Sequence, residues 1–132
     1  MNWQKPNGFI TLVSVLVVGA VGTAISASVV LLGLGASRTS FAIEQSNQAK
    51  ALSIACSDEA LMQIRYDTSY SGSGNLTLGQ GTCSYTVAAG AGEARTITSS
   101  GTVGTITRKV ETSISAINPA ITVSSWQEVA DF

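Results

Sequence analysis

The stretch "GFITLVSVLVVGAVGTAISASVVLLGLG", residues 8–35, contains no charged residue, and the next charge along the chain is Arg38. In the hydrocarbon core of a bilayer the backbone must satisfy its own hydrogen bonds, which favours a helix. A helix over residues 9–35 would be about 40 Å long, whereas the hydrocarbon core is about 30 Å thick. We therefore predict a membrane-spanning helix over residues 9–37.

A removable secretory signal does not fit this stretch. Such signals have an apolar core of about 7 to 15 residues, followed by a cleavage site between small residues. The apolar stretch is roughly twice that length, and the small triplet at residues 26–28 is followed by "VVLLGLG". Cleavage there would leave an apolar terminus, so we interpret the stretch as a lasting part of the mature chain.

Small residues recur at a spacing of four along the apolar stretch, and such rows let helices approach closely in lipid. Because they occupy several sides of the helix, two interpretations stay open: low-bulk filler in a membrane anchor, or a helix packed by several neighbours. The candidate packing residues are Ser14, Gly19, Gly22, Thr23, Ser26 and Ala27.

Residues 38–66 are more polar and contain neither Gly nor Pro. Ala49, Leu52, Cys56 and Ala60 recur at steps of three and four, which predicts an amphipathic helix. No stop signal separates this segment from the apolar stretch, so we predict one long helix that ends near Tyr66, before the Gly/Ser-rich "DTSYSGSGN".

The remaining chain alternates short Thr/Val/Ile-rich runs with glycine turns, which predicts antiparallel hairpins. The predicted sheet has one apolar face and the amphipathic helix has one apolar stripe. Each must be shielded from water, and the two can pack against each other. The predicted fold class is α+β: one long N-terminal helix packed on a C-terminal four- to five-stranded antiparallel sheet over residues 75–129. The predicted strands are 75–78, 82–88, 94–100, 103–116 and 120–129, with turns at 79–81, 90–92 and 101–104.

Cys56 and Cys83 are the only cysteines. An even count after an export-type segment predicts a disulfide in an oxidising compartment, which would place residues 38–132 on the extracytoplasmic side of the membrane. Cys56 belongs to the helical stripe and Cys83 to an inward strand position, so the bond would join helix to sheet. It would stabilise the fold by about 3 kcal/mol. The alternative is two unrelated buried thiols.

The composition argues against catalysis. The chain has no histidine, which removes Ser-His and Cys-His dyads and imidazole metal sites, and the two cysteines do not have zinc-site spacing. We predict no catalytic residue, no metal and no cofactor. With seven basic and eight acidic residues, the chain also lacks the excess of positive charge that is typical of nucleic-acid binding.

Three residues of the predicted sheet are candidates for ligand or interface contacts. Arg108 and Lys109 form a small basic spot that could meet nucleic acid, but two charges are a weak signal and an ordinary solvated strand face is the simpler explanation. Trp126, in the last predicted strand, is either an interface anchor or a cap on the core.

The N-terminal residues resemble those of type IV pilins and pseudopilins: a short leader with Lys5, then "GFITL" at residues 8–12 opening an uncharged helix. The resemblance implies cleavage by a prepilin peptidase between Gly8 and Phe9, loss of residues 1–8 as a leader, and methylation of the Phe9 amine. It also implies a single-pass protein of the cytoplasmic membrane that assembles, with other pilin subunits and the pilus machinery, into a cell-surface filament.

One position departs from the family pattern. The family's usual glutamate, the fifth residue after the cut, would fall at Val13. The chain is most similar in this respect to minor pilins of the PilX-like or general-secretion K-like type, which lack the acid. A second interpretation is a lineage whose main fibre does without it.

The resemblance implies a structural subunit, minor by the Val13 departure, of a type IV pilus or type II secretion-like filament, with adhesion, motility, secretion or DNA uptake as the role. The alternative from another class is an uncleaved, membrane-anchored surface binding protein with a β-sheet ectodomain.

Overall fold

The computed structural model describes residues 7–132, and residues 1–6 of the predicted leader lie outside the described residues. The fold is α+β, as the sequence predicted, with an antiparallel sheet of five strands in the order β1-β2-β3-β4-β5. The elements are α1 (Asn7–Tyr66), β1 (Gly72–Leu78), β2 (Gly81–Ala89), β3 (Arg95–Val103), β4 (Ile106–Ala116) and β5 (Thr122–Val129).

The chain divides into two compact units, with the boundary between Phe41 and Ala42. The described residues of the first unit all belong to α1. The second unit contains the rest of α1 and the whole sheet, in which each strand pairs with the next one along the chain. Every strand connection is therefore a hairpin; glycine-rich breaks predicted three of these connections, and Asn118-Pro119 marked the last one.

The core of the second unit lies between one stripe of α1 and one face of the sheet. The alternation of buried and exposed residues is strict from Gly81 to Val87 and leaves Tyr85 and Val87 facing the helix. The buried apolar residues are Ala49, Leu52, Cys56, Ala60, Ile64, Cys83, Tyr85, Val87, Ile97, Val103, Val110, Ile114 and Ile117.

The Cys56–Cys83 disulfide is confirmed, with the two Cα atoms 6.1 Å apart. Both cysteines are buried, so the bond joins α1 to β2 from inside the core. Nearby, the hydroxyl groups of Ser57 and Ser99 are 2.7 Å apart and share a hydrogen bond across the same helix–sheet boundary.

The predicted turn at residues 101–104 was wrong in its position, because β3 continues through Gly101 to Val103. A Cβ atom on Gly101 would overlap the carbonyl oxygen of Ala49 and lie 2.6 Å from the backbone nitrogen of Ser53. The glycine is needed because α1 approaches the strand closely at this point.

The predicted start of the first strand, residue 75, was also wrong, because β1 begins at Gly72. A Cβ atom on Gly74 would lie 2.7 Å from the ring of Tyr85, and one on Gly72 would lie 3.3 Å from the hydroxyl of Tyr70. Aromatic side chains thus occupy the space that the glycines leave open, and the strand is formed despite its poor intrinsic propensity.

We expect Gly101→Ala to lower the free energy of unfolding by about 1 to 3 kcal/mol, because the added methyl group would force helix and sheet apart. The measurement is chemical denaturation of the full chain in detergent micelles. Gly72→Ala is the matched control, since its nearest neighbour is the end of the Tyr70 side chain. Equal stability of the two variants would contradict the close approach.

We expect replacement of both cysteines, Cys56→Ala with Cys83→Ala, to lower the free energy of unfolding by about 3 kcal/mol, because the unfolded chain would lose its cross-link. Denaturation in the presence and absence of a reductant checks this result. The wild-type midpoint should fall on reduction and that of the double variant should stay unchanged; an insensitive wild type would oppose the prediction.

Candidate functional site

The first candidate site is the apolar segment, residues 8–37 of α1, in which every residue is exposed. Phe9, Val15 and Leu32 each expose more than 70% of their surface. By length and composition α1 could span a membrane. A helix that is apolar on all sides requires a cover of lipid or of other protein, and within the described residues the chain provides none.

The hydroxyl groups of the apolar segment are compatible with such a cover. Ser14 donates to the carbonyl oxygen of Ile10 at 2.8 Å, and Ser26 donates to that of Gly22 at 2.9 Å. Thr23 and Ser28 bond to their own helix in the same way. These donors are therefore satisfied without water, as a position in hydrocarbon demands.

The small residues of the segment lie open to the surroundings. A Cβ atom on Gly19 or Gly22 would meet no atom of the described chain within 4 Å apart from the helix's own backbone. Glycine costs a helix about 1 kcal/mol relative to alanine. No contact among residues 8–132 explains that cost, so close packing with another molecule stays a prediction for Ser14, Gly19, Gly22, Thr23, Ser26 and Ala27.

The Gly8–Phe9 junction lies in the first turns of α1, and both residues are exposed. A Cβ atom on Gly8 would also meet nothing within 4 Å in the described chain, its own helix backbone excepted. The junction is therefore uncovered by the described residues, and cleavage between Gly8 and Phe9 stays a prediction.

Arg108 and Lys109, the predicted basic spot, are each paired with a carboxylate. The Nε atom of Arg108 lies 2.5 Å from Oε1 of Glu128, whose Oε2 lies 3.5 Å from Nζ of Lys50. Lys109 contacts Asp131, and its Nζ lies 4.7 Å from the centre of the Phe132 ring. These charges connect the end of β5 and the residues after it to β4 and α1.

Trp126 lies on β5 opposite Thr112, on the side of the sheet that faces α1. Its side chain is 41% exposed, whereas Thr112 is fully buried. Trp126 is therefore a large apolar side chain that stays exposed on the edge strand. An interface anchor and a cap on the core both stay predictions for this residue.

A shallow groove of about 370 Å³ runs between α1 and the beginning of β5. Its floor is apolar, with Leu61, Met62, Ile121 and Val123, and Asp58 and Arg65 supply one charge of each sign. Met62 is 52% exposed. Sequence analysis missed this groove because it depends on how far the helix lies from the edge strand.

Arg95 and Glu93, which sequence analysis also missed, connect three loops at one end of the sheet. Arg95 is buried and donates from Nη2 to the carbonyl oxygen of Thr68 at 2.7 Å and from Nη1 to that of Ala94 at 2.8 Å. Glu93 accepts hydrogen bonds from the backbone nitrogens of Ile117 and Asn118, at 3.0 and 3.2 Å.

These contacts lower the pKa of Glu93. The first cause is the hydrogen bond from the backbone of Ile117, followed by the two from Asn118, because all three favour the ionised carboxylate. Arg95 and Glu93 therefore stabilise the positions of the loops, since their hydrogen-bond partners are mostly backbone groups of those loops.

Within residues 7–132, no three His, Cys, Asp or Glu side chains lie together in a group that could hold a metal ion. Comparison of the chain with profiles of known protein families, with curated proteins and with solved structures found no match. The described residues show an apolar helical segment that could span a membrane by length and composition, and a disulfide-bonded unit of helix and sheet.

We expect Glu93→Gln to lower the thermal unfolding midpoint at about pH 7 and to have much less effect at about pH 2.5. A lowered folded pKa means that Glu93 stabilises the fold above its unfolded pKa and loses this effect as the pH falls through the folded value. Circular dichroism of both chains in detergent micelles at the two pH values checks this. An equal midpoint difference at both would contradict the assignment.

Proposed function

We propose that this chain is a structural subunit, and a minor one, of a type IV pilus or related type II secretion-like filament. The observation that carries the proposal is the apolar segment, which is exposed on all sides and has the Gly8–Phe9 junction at its start. A simple anchor needs about 20 apolar residues. This segment is longer and contains glycines that its own chain does not explain.

The proposed mechanism is transfer of the apolar segment from lipid to sister subunits. Lipid tails and apolar side chains are equally apolar, so the transfer gains little from the hydrophobic effect and depends on close packing. Small residues such as Gly19, Gly22 and Ala27 supply the surface for such packing. The internally bonded hydroxyl groups of Ser14 and Ser26 suit both environments.

Val13 supports the minor role. In the family that the chain resembles, a glutamate at this position pairs with the terminal amine of a neighbouring subunit. A carboxylate inside lipid costs about 2.5 to 3.5 kcal/mol unless it is paired. A subunit that is assembled first has no earlier neighbour to pair with, so valine at this position removes the cost without losing a contact.

The second unit, from Ala42 onward, is suited to an oxidising exterior. Its disulfide is buried, and no free cysteine occurs among the described residues. We assign this unit to the outer surface of the filament, with Trp126 and the groove beside β5 as its candidate contact surfaces.

The proposal predicts that the mature chain begins at Phe9 with a methylated amine. Mass spectrometry of the protein from sheared surface fibres checks the terminus. We expect Gly8→Val to leave residues 1–8 attached, because the bulkier side chain would block the peptidase at its cleavage site. Gly33→Val is the matched control, since it makes the same change elsewhere in the segment, and should be processed normally.

An intact Met1 on wild-type protein at the cell surface would contradict the proposal and favour the uncleaved, membrane-anchored binding protein. The minor role has its own measurement, which is the abundance of the chain relative to the main subunit in the same fibres. A chain that makes up most of the fibre mass would refute the minor assignment and leave the filament assignment standing.

A further inference from the structure

Strand β1 contains the triplet Asn75-Leu76-Thr77, which matches the acceptor pattern for N-linked glycans, Asn-X-Ser/Thr with X other than Pro. No other asparagine in the sequence is followed two residues later by Ser or Thr. Asn75 and Thr77 lie two residues apart on one strand, so their side chains share a face, and both are exposed.

The amide group of Asn75 is accessible. Strand β1 is at the edge of the sheet and pairs, among the described strands, with β2 alone. Within residues 8–132 the Asn75 side chain has no hydrogen-bond partner, and the preceding residue is Gly74, which presents no side chain to an approaching enzyme. The side chains of β1 that face the helix are only half-buried. If β1 separated briefly from β2, little of the core would therefore become exposed to water.

The sheet surface beside Asn75 is lined by the hydroxyl groups of serine and threonine side chains. Asn75 is opposite Ser84, which is opposite Ser100 on β3. In the next row, threonines occupy four neighbouring strands: Thr77, Thr82, Thr102 and Thr107. A shallow depression of about 270 Å³ lies between these rows, and none of its lining residues is charged.

Such a depression suits a sugar. Hydroxyl groups both donate and accept hydrogen bonds, as sugar hydroxyls do, so the side chains of Ser84 and Thr82 can contact the first sugar ring of an attached glycan. The acceptor amide, the hydroxyl at the second following position and a polar surface for the product therefore lie together on one exposed face.

We propose that Asn75 is the acceptor of an N-linked oligosaccharide. The donor is an oligosaccharide carried on a lipid pyrophosphate. Nδ2 of Asn75 attacks the anomeric carbon, the N–C bond forms, and the bond from that carbon to the pyrophosphate oxygen breaks. The amide proton passes to a base of the transferase and the lipid pyrophosphate leaves. This inference requires export of the second unit and does not depend on filament assembly.

The test is mass spectrometry of the full chain from the cell that naturally produces it. We expect a glycan on the tryptic peptide that spans residues 66–95, located on Asn75 by fragmentation that preserves the sugar. Asn75→Gln and Thr77→Val should each abolish the glycan, whereas Thr77→Ser should retain it because the hydroxyl is restored. Thr86→Ala is the control and should keep the modification, since it removes an exposed hydroxyl of β2 that lies outside both the triplet and the depression.

An unmodified wild-type peptide would overturn the proposal. A glycan that persists in Asn75→Gln would also overturn it, because the sugar would then be attached to a hydroxyl group. Either result is independent of whether the N-terminus is found at Phe9, so failure of this inference can be told apart from failure of the filament proposal.

Discussion

The close contact between the second part of α1 and the sheet is the constraint on which the folded unit from Ala42 onward depends. Small residues allow this close contact, because Ala49 and Ser53 of the helix lie against Gly101 of β3. A single Cβ atom on Gly101 would overlap the helix backbone. The buried Cys56–Cys83 bond holds the same surfaces together covalently. A sheet of five sequential strands, joined by four hairpins, has no other large apolar cover among the described residues, so the position of the helix decides which sheet face becomes the core.

The margins of this unit are held mainly by polar contacts. Strand β5 is exposed along nearly its whole length, and Glu128 near its end is placed between Arg108 and Lys50. At the loop end, Arg95 and Glu93 bond to backbone groups of neighbouring loops. The exposed ion pairs contribute little stability each, because such pairs are worth about 0 to 1 kcal/mol. Their directionality instead specifies where the edge strand and the loops lie.

The apolar segment shows what the chain needs from its surroundings. Its hydroxyl groups are satisfied internally, its side chains are exposed, and its glycines make no contact that would explain them. A bilayer satisfies the first two features, and close neighbours would also account for the third. A subunit that passes from lipid into a filament brings the three together, and an exported folded unit is also where an oligosaccharide on Asn75 would be found.

The sequence by itself determined the elements and their pairing. The charge-free stretch and the absence of Gly and Pro from residues 38–66 predicted the helix and its end at Tyr66. Alternation around Tyr85 predicted a strand with one buried side, and the even cysteine count predicted the disulfide. Apart from the disulfide, which joins residues 27 apart, these features are local, because periodicity reports which side of an element is buried.

Only the tertiary structure decided what each residue meets. Gly101 belongs to a strand because a helix passes over it, and β1 begins at Gly72 because rings from elsewhere, such as that of Tyr85, cover its glycines. Arg108 and Lys109 are paired because the path of the chain after β4 brings Glu128 and Asp131 to them. Contacts between residues far apart in sequence leave no local period. For that reason the sequence showed Arg108 and Lys109 only as a basic pair, whereas in the fold each forms an ion pair with a carboxylate.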